Sequence, residues 1–591
     1  MIIKLGGDLM NENVNEGNSV NPSVIIKKIR FNDGTEIDLG SNDIVVFVGA
    51  NNVGKSRALK DIKNDILDDT SKRVIINDIE YKDENFEEDI MKKYFKNNFE
   101  LGSNGYDIEV DGSHTYGYNE QNFQNTKSGD KYFYKALFSF LSTESRLNMT
   151  SPISYSYIND KLSFNIMRKL ERDKRVITTL NDILFSCFGK KIDVSEGIWQ
   201  NSVSKFYKFG TKDEIDKSVG ADTREARCLL EPLENLNDQG DGIRSAVAIL
   251  SSLITTTHSL YLIDEPETFL HPPQARILGK NIVDLSQNKQ CFISTHNIDL
   301  LRGMLEKNSS RIKIIKINRT DNENEFHSLD NESIKIISND KNLKYSNILN
   351  GLFYNIVILC ENESDCKFYS ALLEKLDSDV YNNTLFCAVG GKDQFKIIIP
   401  LLNKLKINFL VIADLDLINN CDKLKDLINS IKANKYDQIS STHRDFLRLF
   451  ESGTDSQIKK QSVIKDEILG LITDATYMSD ETVIKIRQVL KNISHLKLLK
   501  NCGKSCLPPG ECVQKYNQII DFLNKNNIFV VEYGEIERFI TEIDGHGSSW
   551  VEEVFKNYPT LDEPEYSNAK EFIRKVFKIE LLEEGEKIER Q

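Results

Sequence analysis

Ser259-Leu-Tyr-Leu-Ile263, followed by Asp264-Glu265-Pro266-Glu267, is the stretch on which the fold turns. A short apolar run of this kind fits a strand buried on both faces, and such strands belong to parallel sheets. The run stops on two adjacent acids, so a buried strand delivers two carboxylates to one point. Far upstream, Ile25 to Phe31 and Asp43 to Val48 also read as strands. The second leads straight into Gly49-Ala-Asn51-Asn52-Val-Gly54-Lys55-Ser56, and a helical pattern continues through Ile66. That is a P-loop in the context it requires. Its glycines let backbone N–H groups turn inward around phosphates, with Asn51 and Asn52 in the same loop. Lys55 reaches the β and γ oxygens of ATP, and the Ser56 hydroxyl ligates Mg²⁺ at a helix N-terminus. In that setting Asp264 holds the ion through water, and Glu265 orients or deprotonates the water attacking the γ-phosphate. The plain alternative is two acids that simply end a strand.

Two further stretches join this pair. Gln290-Cys-Phe-Ile-Ser-Thr295 is another strand, closing on His296-Asn297, and a histidine at a strand end near phosphates can sense the γ-phosphate by hydrogen bonding. Gln239-Gly240-Asp-Gly242-Ile-Arg244-Ser245 precedes a helix from Ala246 to Ile254, so Gly240, Gly242 and Ser245 stand where backbone and hydroxyl donors can bind anionic phosphate. Glycine-rich turns before helices are also common without any ligand. The order of P-loop, this turn, Asp-Glu-Pro-Glu, Leu270-His271-Pro272 and Ser294-Thr-His296 resembles the ABC-type heads of recombination and SMC-related ATPases, over roughly residues 24 to 345. The resemblance implies that the turn is a degenerate signature completing the ATP site of a second subunit, which makes the working ATPase a dimer. Ser142-Thr-Glu144-Ser-Arg146 lies where that family carries a loop touching Mg²⁺ and γ-phosphate, with Glu144 and Arg146 in place of the expected glutamine.

From Tyr354 the grammar changes to short strand–helix units. Asn355 to Cys360 is an apolar strand ending in Glu361, with Asp365 on the opening turn of the helix that runs to Leu376. Leu385 to Val389 is a second strand, closed by Gly390-Gly391 and a helix from Asp393 to Leu405. Asn408 to Ala413 is a third, ending in Asp414-Leu-Asp416. In an open α/β sheet the carboxyl ends of the strands converge on one crevice, so Glu361, Asp365, Asp414 and Asp416 meet there. Oxygen ligands of this kind suit Mg²⁺ or Mn²⁺ and phosphodiester cleavage, and Glu361 can also act as general acid or base. An isolated Asp-x-Asp reads more often as solvated loop acids. After a helical, lysine-rich insertion, Asn527 to Glu532 resumes the sheet, and Glu535 and Glu537 follow. Either would furnish a further metal ligand or merely begin a helix through Ile540.

This C-terminal pattern is similar to the TOPRIM domain, and Glu361-x-x-x-Asp365 is the variant of the OLD (overcoming lysogenization defect) family. An ABC head followed by that variant is the OLD architecture, shared with the Gabija nuclease and related to PARIS-type defence proteins. The resemblance implies an α/β chain: an ABC-type ATPase head with helical insertions, then a TOPRIM Rossmann-like parallel sheet with its own helical insertion. It further implies an ATP-dependent or ATP-regulated, metal-dependent endonuclease in antiphage defence, assembled as a homodimer or larger homo-oligomer, with a phage trigger or a defence partner protein. DNA is the first expected substrate, and RNA, including tRNA, is the other, because nothing in these motifs reads a 2′-hydroxyl. A lysine expected in OLD nucleases is not placed by motif. A second class of function is a sensing scaffold, an ATPase that holds or releases a partner effector with a structural TOPRIM site.

The rest of the composition sets boundaries. A chain of 591 residues exceeds one hydrophobic core. The expected division is a loose lead at 1–23, an ATPase domain at 24–350 with insertions near 81–131 and 151–222, a TOPRIM domain at 351–545 with an insertion near 420–525, and a helical tail at 546–591. No apolar run is long enough to span a membrane and the start lacks signal-peptide order, so a cytoplasmic location is expected. Ten scattered cysteines suit reduced thiols; Cys502, Cys506 and Cys512 could ligate a metal but lack paired CxxC spacing. A net charge of −14 requires any nucleic-acid surface to be local. The candidate is Lys485, Arg487, Lys491, Lys497, Lys500 and Lys504, which otherwise read as a solvated helix face.

Overall fold

The computed structural model describes residues 21–69, 72–99, 101, 105–110, 114–156, 170, 174–199, 202–220, 223–307, 309–320, 323–329, 332–334, 347–454, 461–472, 478–489 and 495–579. The expected lead therefore falls almost wholly outside the described residues, as do Lys491, the end of the tail and parts of both N-terminal insertions. The chain separates into two compact units, Met1–Phe353 and Tyr354–Gln591. Among the described residues no helix is long and apolar enough to cross a membrane.

The first unit is built on a six-stranded sheet in the order Glu323–Ser328, Ile312–Thr320, Ile44–Val48, Gln290–Ser294, Leu260–Asp264, Phe138–Leu141, parallel except for the antiparallel edge pair of Glu323–Ser328 with Ile312–Thr320. Ile44–Val48 is buried at every position, as an interior parallel strand covered on both faces must be. Ser23–Phe31 alternates more between buried and exposed positions and instead joins Glu36–Asp38 and Ile76–Glu84 in an antiparallel sheet. Two buried polar side chains tie the sheets together. The Gln290 amide accepts from Ile26 N (2.8 Å) and donates to Ile26 O (2.8 Å) and Gly40 O (2.9 Å), acting as a spare peptide group. Ser259 Oγ accepts from Val24 N and donates to Val24 O. The inserted segments carry strands as well as helices: a hairpin of Tyr106–Val110 with His114–Tyr118, and a small antiparallel sheet around Lys191–Trp199 and Ser202–Gly210.

The second unit has four parallel strands in the order Thr384–Ala388, Ile356–Cys360, Phe409–Asp414, Ile528–Val531. The chain leaves Ile356–Cys360 to one side for its next strand and to the other for the one after. That reversal creates a crevice between Ile356–Cys360 and Phe409–Asp414, where such sheets bind ligands. The expected helical tail contains the helices Ser548–Asn557 and Ser567–Phe577, whose Trp550, Val551, Val554, Phe572 and Ile573 pack into one core with Phe368 and Tyr369 of Glu363–Leu376. Glu535 and Glu537 begin no long helix; Ile536–Arg538 is a single 3₁₀ turn.

In the first unit, Pro272–Leu285 and Ile298–Leu305 approach so closely that a Cβ on Gly303 would sit 2.0 Å from Arg276 O, and one on Gly279 would sit 2.3 Å from Leu300 O. Gly303→Ala must push backbone against backbone. It is expected to cost about 1–3 kcal/mol, as overpacking does, and to lower the Tm of this unit by roughly 2–4 °C per kcal/mol; thermal unfolding with an unchanged Tm would contradict that close packing.

Candidate active site

The first unit gathers its candidate residues at the carboxyl ends of three adjacent strands. Gly54 caps the helix Lys55–Ile66 in a left-handed conformation, and Asn51 and Asn52 lie exposed in the turn before it. Lys55 is buried and curls back, Nζ donating to Gly49 O (3.0 Å) and Ala50 O (2.7 Å). Burial lowers its pKa against the opposing pull of Glu265, Glu267 and Asp264. Ser56 is half-buried on the first turn of the same helix. Asp264 accepts from Ser294 Oγ on the neighbouring strand. Glu265, at a positive φ of 46°, donates its N–H to Ser294 O at 3.1 Å.

His296 Nδ1 lies 3.4 Å from Glu265 Oε1 and 3.5 Å from Glu267 Oε1. The Glu265 hydrogen bond raises the His296 pKa, and the same bond holds the Glu265 carboxyl below its ordinary value. Glu267 is 3 % exposed; burial raises its pKa even though Thr295 Oγ1 and His296 N donate to it. It is a buried strut under the histidine.

Glu144 is exposed, whereas Arg146 is fully buried. Its Nη1 donates to Leu141 O (2.8 Å) and Asp264 O (2.6 Å), and its Nη2 to Glu265 O (3.2 Å). Burial pushes its pKa down to about 10. Arg146 therefore clamps the backbone that carries both acids. Its short helix, Thr143–Met149, also receives Arg244 through Leu147 O (3.0 Å), which joins it to the glycine-rich turn.

In that turn the structure separates the three expected residues. Gly240 is the exposed N-cap of Asp241–Thr255. Gly242 is buried, and a Cβ there would meet Phe269 O at 2.4 Å, so its glycine is accounted for by packing within the chain. Ser245 is a correction: it lies fully buried a turn into the helix, its hydroxyl without a partner, and so cannot present that hydroxyl to phosphate on a second subunit. The helix itself begins at Asp241, within the glycine-rich turn, and not at Ala246 as read from the sequence.

In the second unit, Glu361, Asp365, Asp414, Lys392, Lys500, Glu537 and His546 line one cleft of about 330 Å³. Glu361 Oε1 accepts from Asp414 N at 3.0 Å across the crevice. Asp365 is fixed at the helix start by accepting from Asn362 N (3.0 Å). Burial raises the carboxyl pKa values of Glu361 and Asp414, each further raised by the neighbouring acids, and raises Asp365 to about 6. Such acids gain when a cation neutralises them; Glu361, Asp365 and Asp414 line the cleft, Asp416 is tied to Lys392, and among the described residues no three of the four come within 4.8 Å of one another as a ligand group.

Two lysines stand among them: Lys392, which no motif marked, and Lys500, one of the expected basic run. Lys392, after Gly390-Gly391, pairs with Asp416 and lies 3.6 Å from Glu361 Oε1. Its only sequence signal is a lysine following a Gly-Gly strand end. Lys500, from the helix His495–Cys502 at the end of the insertion, lies 3.0 Å from Glu535 Oε2 and 3.9 Å from Asp414 Oδ2. Burial alone would lower its ammonium pKa, and the carboxylates of Glu535, Asp414 and Asp416 raise it instead. Of the expected basic run, Lys485 pairs with Glu481 and Lys504 with Glu532, and the side chains of Arg487 and Lys497 lie outside the description. Cys502 is exposed while Cys506 and Cys512 are buried, and among the described residues they form no ligand group.

Comparison with known proteins agrees with both halves. Residues 231–302 match the family model "AAA domain, putative AbiEii toxin, Type IV TA system", and residues 352–416 match "Overcoming lysogenization defect protein-like, TOPRIM domain". The Old nuclease of Escherichia phage P2 is 24% identical over 359 residues, covering 57% of this chain and 54% of the relative. Endonuclease GajA of Bacillus cereus (strain VD045) is 27% identical over 158 residues, covering 27% of this chain and 26% of the relative. The match thus spans about half the length of the first curated relative and about a quarter of the second. Among solved structures, the SMC head bound to the C-winged helix domain of ScpA aligns at 12% identity over 52% of this chain and 98% of that chain, with a TM-score of 0.32.

Arg146→Ala would orphan carbonyls at the strand end bearing Asp264 and Glu265, at about 1–3 kcal/mol for each buried group left unpaired. ATP hydrolysis is expected to fall at least about tenfold while nucleotide binding through the P-loop persists, with Arg146→Lys restoring part of the rate. Equal loss of binding and hydrolysis would instead mean that Arg146 serves only the stability of the unit.

Proposed function

We propose, on the premise that an ATPase domain and an OLD-like TOPRIM domain share this chain, that it is an ATP-regulated, metal-dependent endonuclease. It cleaves phosphodiester bonds in DNA as part of antiphage defence in the cytoplasm. The observation that carries the reading is the crevice at the sheet's reversal point, where Glu361, Asp365 and Asp414 share one cleft with Lys392 and Lys500. A dication held by Glu361, Asp365, Asp414 and Asp416 would stabilise charge on the attacking and leaving oxygens. Glu361, whose carboxyl is raised by burial, is suited to hold or pass a proton at its free oxygen. Lys392 and Lys500 are tethered to carboxylates beside the cleft, so their ammonium groups can shift onto non-bridging phosphate oxygens without crossing open solvent.

In the ATPase half, Lys55, which donates to the carbonyls of Gly49 and Ala50, would bind the nucleotide phosphates, Ser56 and Asp264 would hold Mg²⁺, and Glu265, kept ionised by His296, would orient the attacking water. Gly240, exposed at its helix start, is the part of the glycine-rich turn able to meet nucleotide on a second copy. ATP-driven pairing of heads then biases the nuclease between two states.

The test is cleavage of supercoiled DNA, linear DNA and total tRNA by wild type, Lys55→Ala and Asp414→Ala/Asp416→Ala, with Mg²⁺ or Mn²⁺, with and without ATP, and after EDTA. Cleavage of DNA that EDTA and the double aspartate change both abolish is expected, and the Lys55→Ala rate gives the sign of ATP control. Persistent ATP hydrolysis with no cleavage of any substrate would replace this reading with the sensing scaffold.

A further inference from the structure

In the first unit, the strand Ile312–Thr320 outruns its parallel neighbour. Its register with Ile44–Val48 ends at Lys316 against Val48, so the residues from Ile317 onward continue beside the P-loop, paired to Glu323–Ser328. At Gly49 the fit is closed, since a Cβ there would meet Ile317 O at 2.4 Å. The hairpin is anchored on its other side: Phe326 stacks on Phe31 with ring centroids 4.0 Å apart, and Phe326 N donates to Asp33 Oδ2 at 2.9 Å. Arg319 and Asn324 stand opposite each other across its two strands.

Both of these side chains donate to the P-loop backbone. Asn324 Nδ2 donates to Val53 O at 2.7 Å, and Arg319 Nη1 donates more loosely to Asn52 O at 3.4 Å. The chain turns between these carbonyls and the start of the loop at Asn52, whose φ is 64°. The loop's carbonyls are thus divided: Gly49 O and Ala50 O face Lys55 Nζ, and Asn52 O and Val53 O face the hairpin. In a trans peptide the C=O and the following N–H point in opposite directions. Holding Asn52 O and Val53 O against the hairpin therefore aims Val53 N–H and Gly54 N–H away from it. Among the described residues neither of those two N–H groups donates to an acceptor. Successive amides left open in this way at a helix start are donors for an anion.

We infer that Asn324, assisted by Arg319, is a positioning residue for nucleotide: it fixes the Val53–Gly54 peptide so that the loop's amides are set for a phosphate of ATP before the nucleotide arrives. Without that hold, binding has to order the peptide as well as make its hydrogen bonds, which weakens affinity. Among the described residues Asn324 makes no contact with Asp264, Glu265 or His296. Its effect therefore falls on binding and spares the chemical step. The inference rests on reading Gly49 to Ser56 as a nucleotide-binding loop.

The experiment uses the full chain with Mg²⁺: titration with the fluorescent nucleotide mant-ADP, KM and kcat for ATP hydrolysis, and the Tm without nucleotide. Asn324→Ala and Asn324→Leu, the second keeping the side chain's shape without its donor, should weaken mant-ADP binding and raise KM roughly five- to tenfold. The value of kcat should stay within about twofold of wild type, and the nucleotide-free Tm should hold. Asn324→Gln, which restores an amide donor, should recover part of the affinity. Unchanged mant-ADP affinity in both the Ala and Leu variants would overturn the inference. So would an affinity loss matched by falls in kcat and in nucleotide-free Tm, which would make Asn324 a brace for the fold alone. Failure of wild type to bind mant-ADP, or equally tight binding by Lys55→Ala, would instead remove the nucleotide-loop reading and the inference with it.

Discussion

Carboxylates brought together in a cleft repel one another and resist leaving water, so a site built from acids holds its shape only if positive groups are brought to it. Both halves of this chain meet that constraint in the same way. Parallel strands deliver the acids, because every strand end points to one edge of the sheet. The compensating cations come from elsewhere: Arg146 and Lys55 around Asp264 and Glu265, Lys392 and Lys500 around Glu361, Asp414 and Asp416. Each of these links the chemistry to a different segment, and Arg146 joins it further, through its helix and Arg244, to the turn that begins Asp241–Thr255.

This division also accounts for what could be read from sequence. Ile44–Val48, Leu260–Asp264, Ile356–Cys360 and Phe409–Asp414 announce themselves as continuous apolar runs ending in a loop or an acid, since an interior strand has no solvent face to alternate. The acids at their ends were therefore legible by position. Of the cations, Lys55 was legible from the P-loop and Lys500 only as one of a basic run, while Lys392 carried no motif. Lys500 reaches Asp414 from a helix that follows a long insertion, and His546 reaches Glu537 from beyond a turn, so no local pattern tells which acid either one meets. Arg146 occupies a place where a polar contact with nucleotide was expected, and its burial beneath the strand end is visible only in three dimensions.

Local rules failed where packing overrode them. Ser245 lies near enough to the glycine-rich turn to look like a phosphate donor, yet one further turn of helix carries it inside. After Gly545 the composition is charged, and the sequence suggested packing or partner contact without saying which. Trp550, Val551, Val554, Phe572 and Ile573 are nevertheless spaced to give each helix one apolar stripe, and those stripes complete the second core.

That last feature bears on how the chain is made. Domains fold as units, the N-terminal one first as synthesis proceeds. The six-stranded sheet of the first unit has all its strands by Ser328, whereas the second core lacks its closing helices until Phe577 has left the ribosome. A growing polypeptide therefore completes the sheet of its first unit well before the core of its second, so the cleft that gathers Glu361, Asp365 and Asp414 gains its supporting helices late.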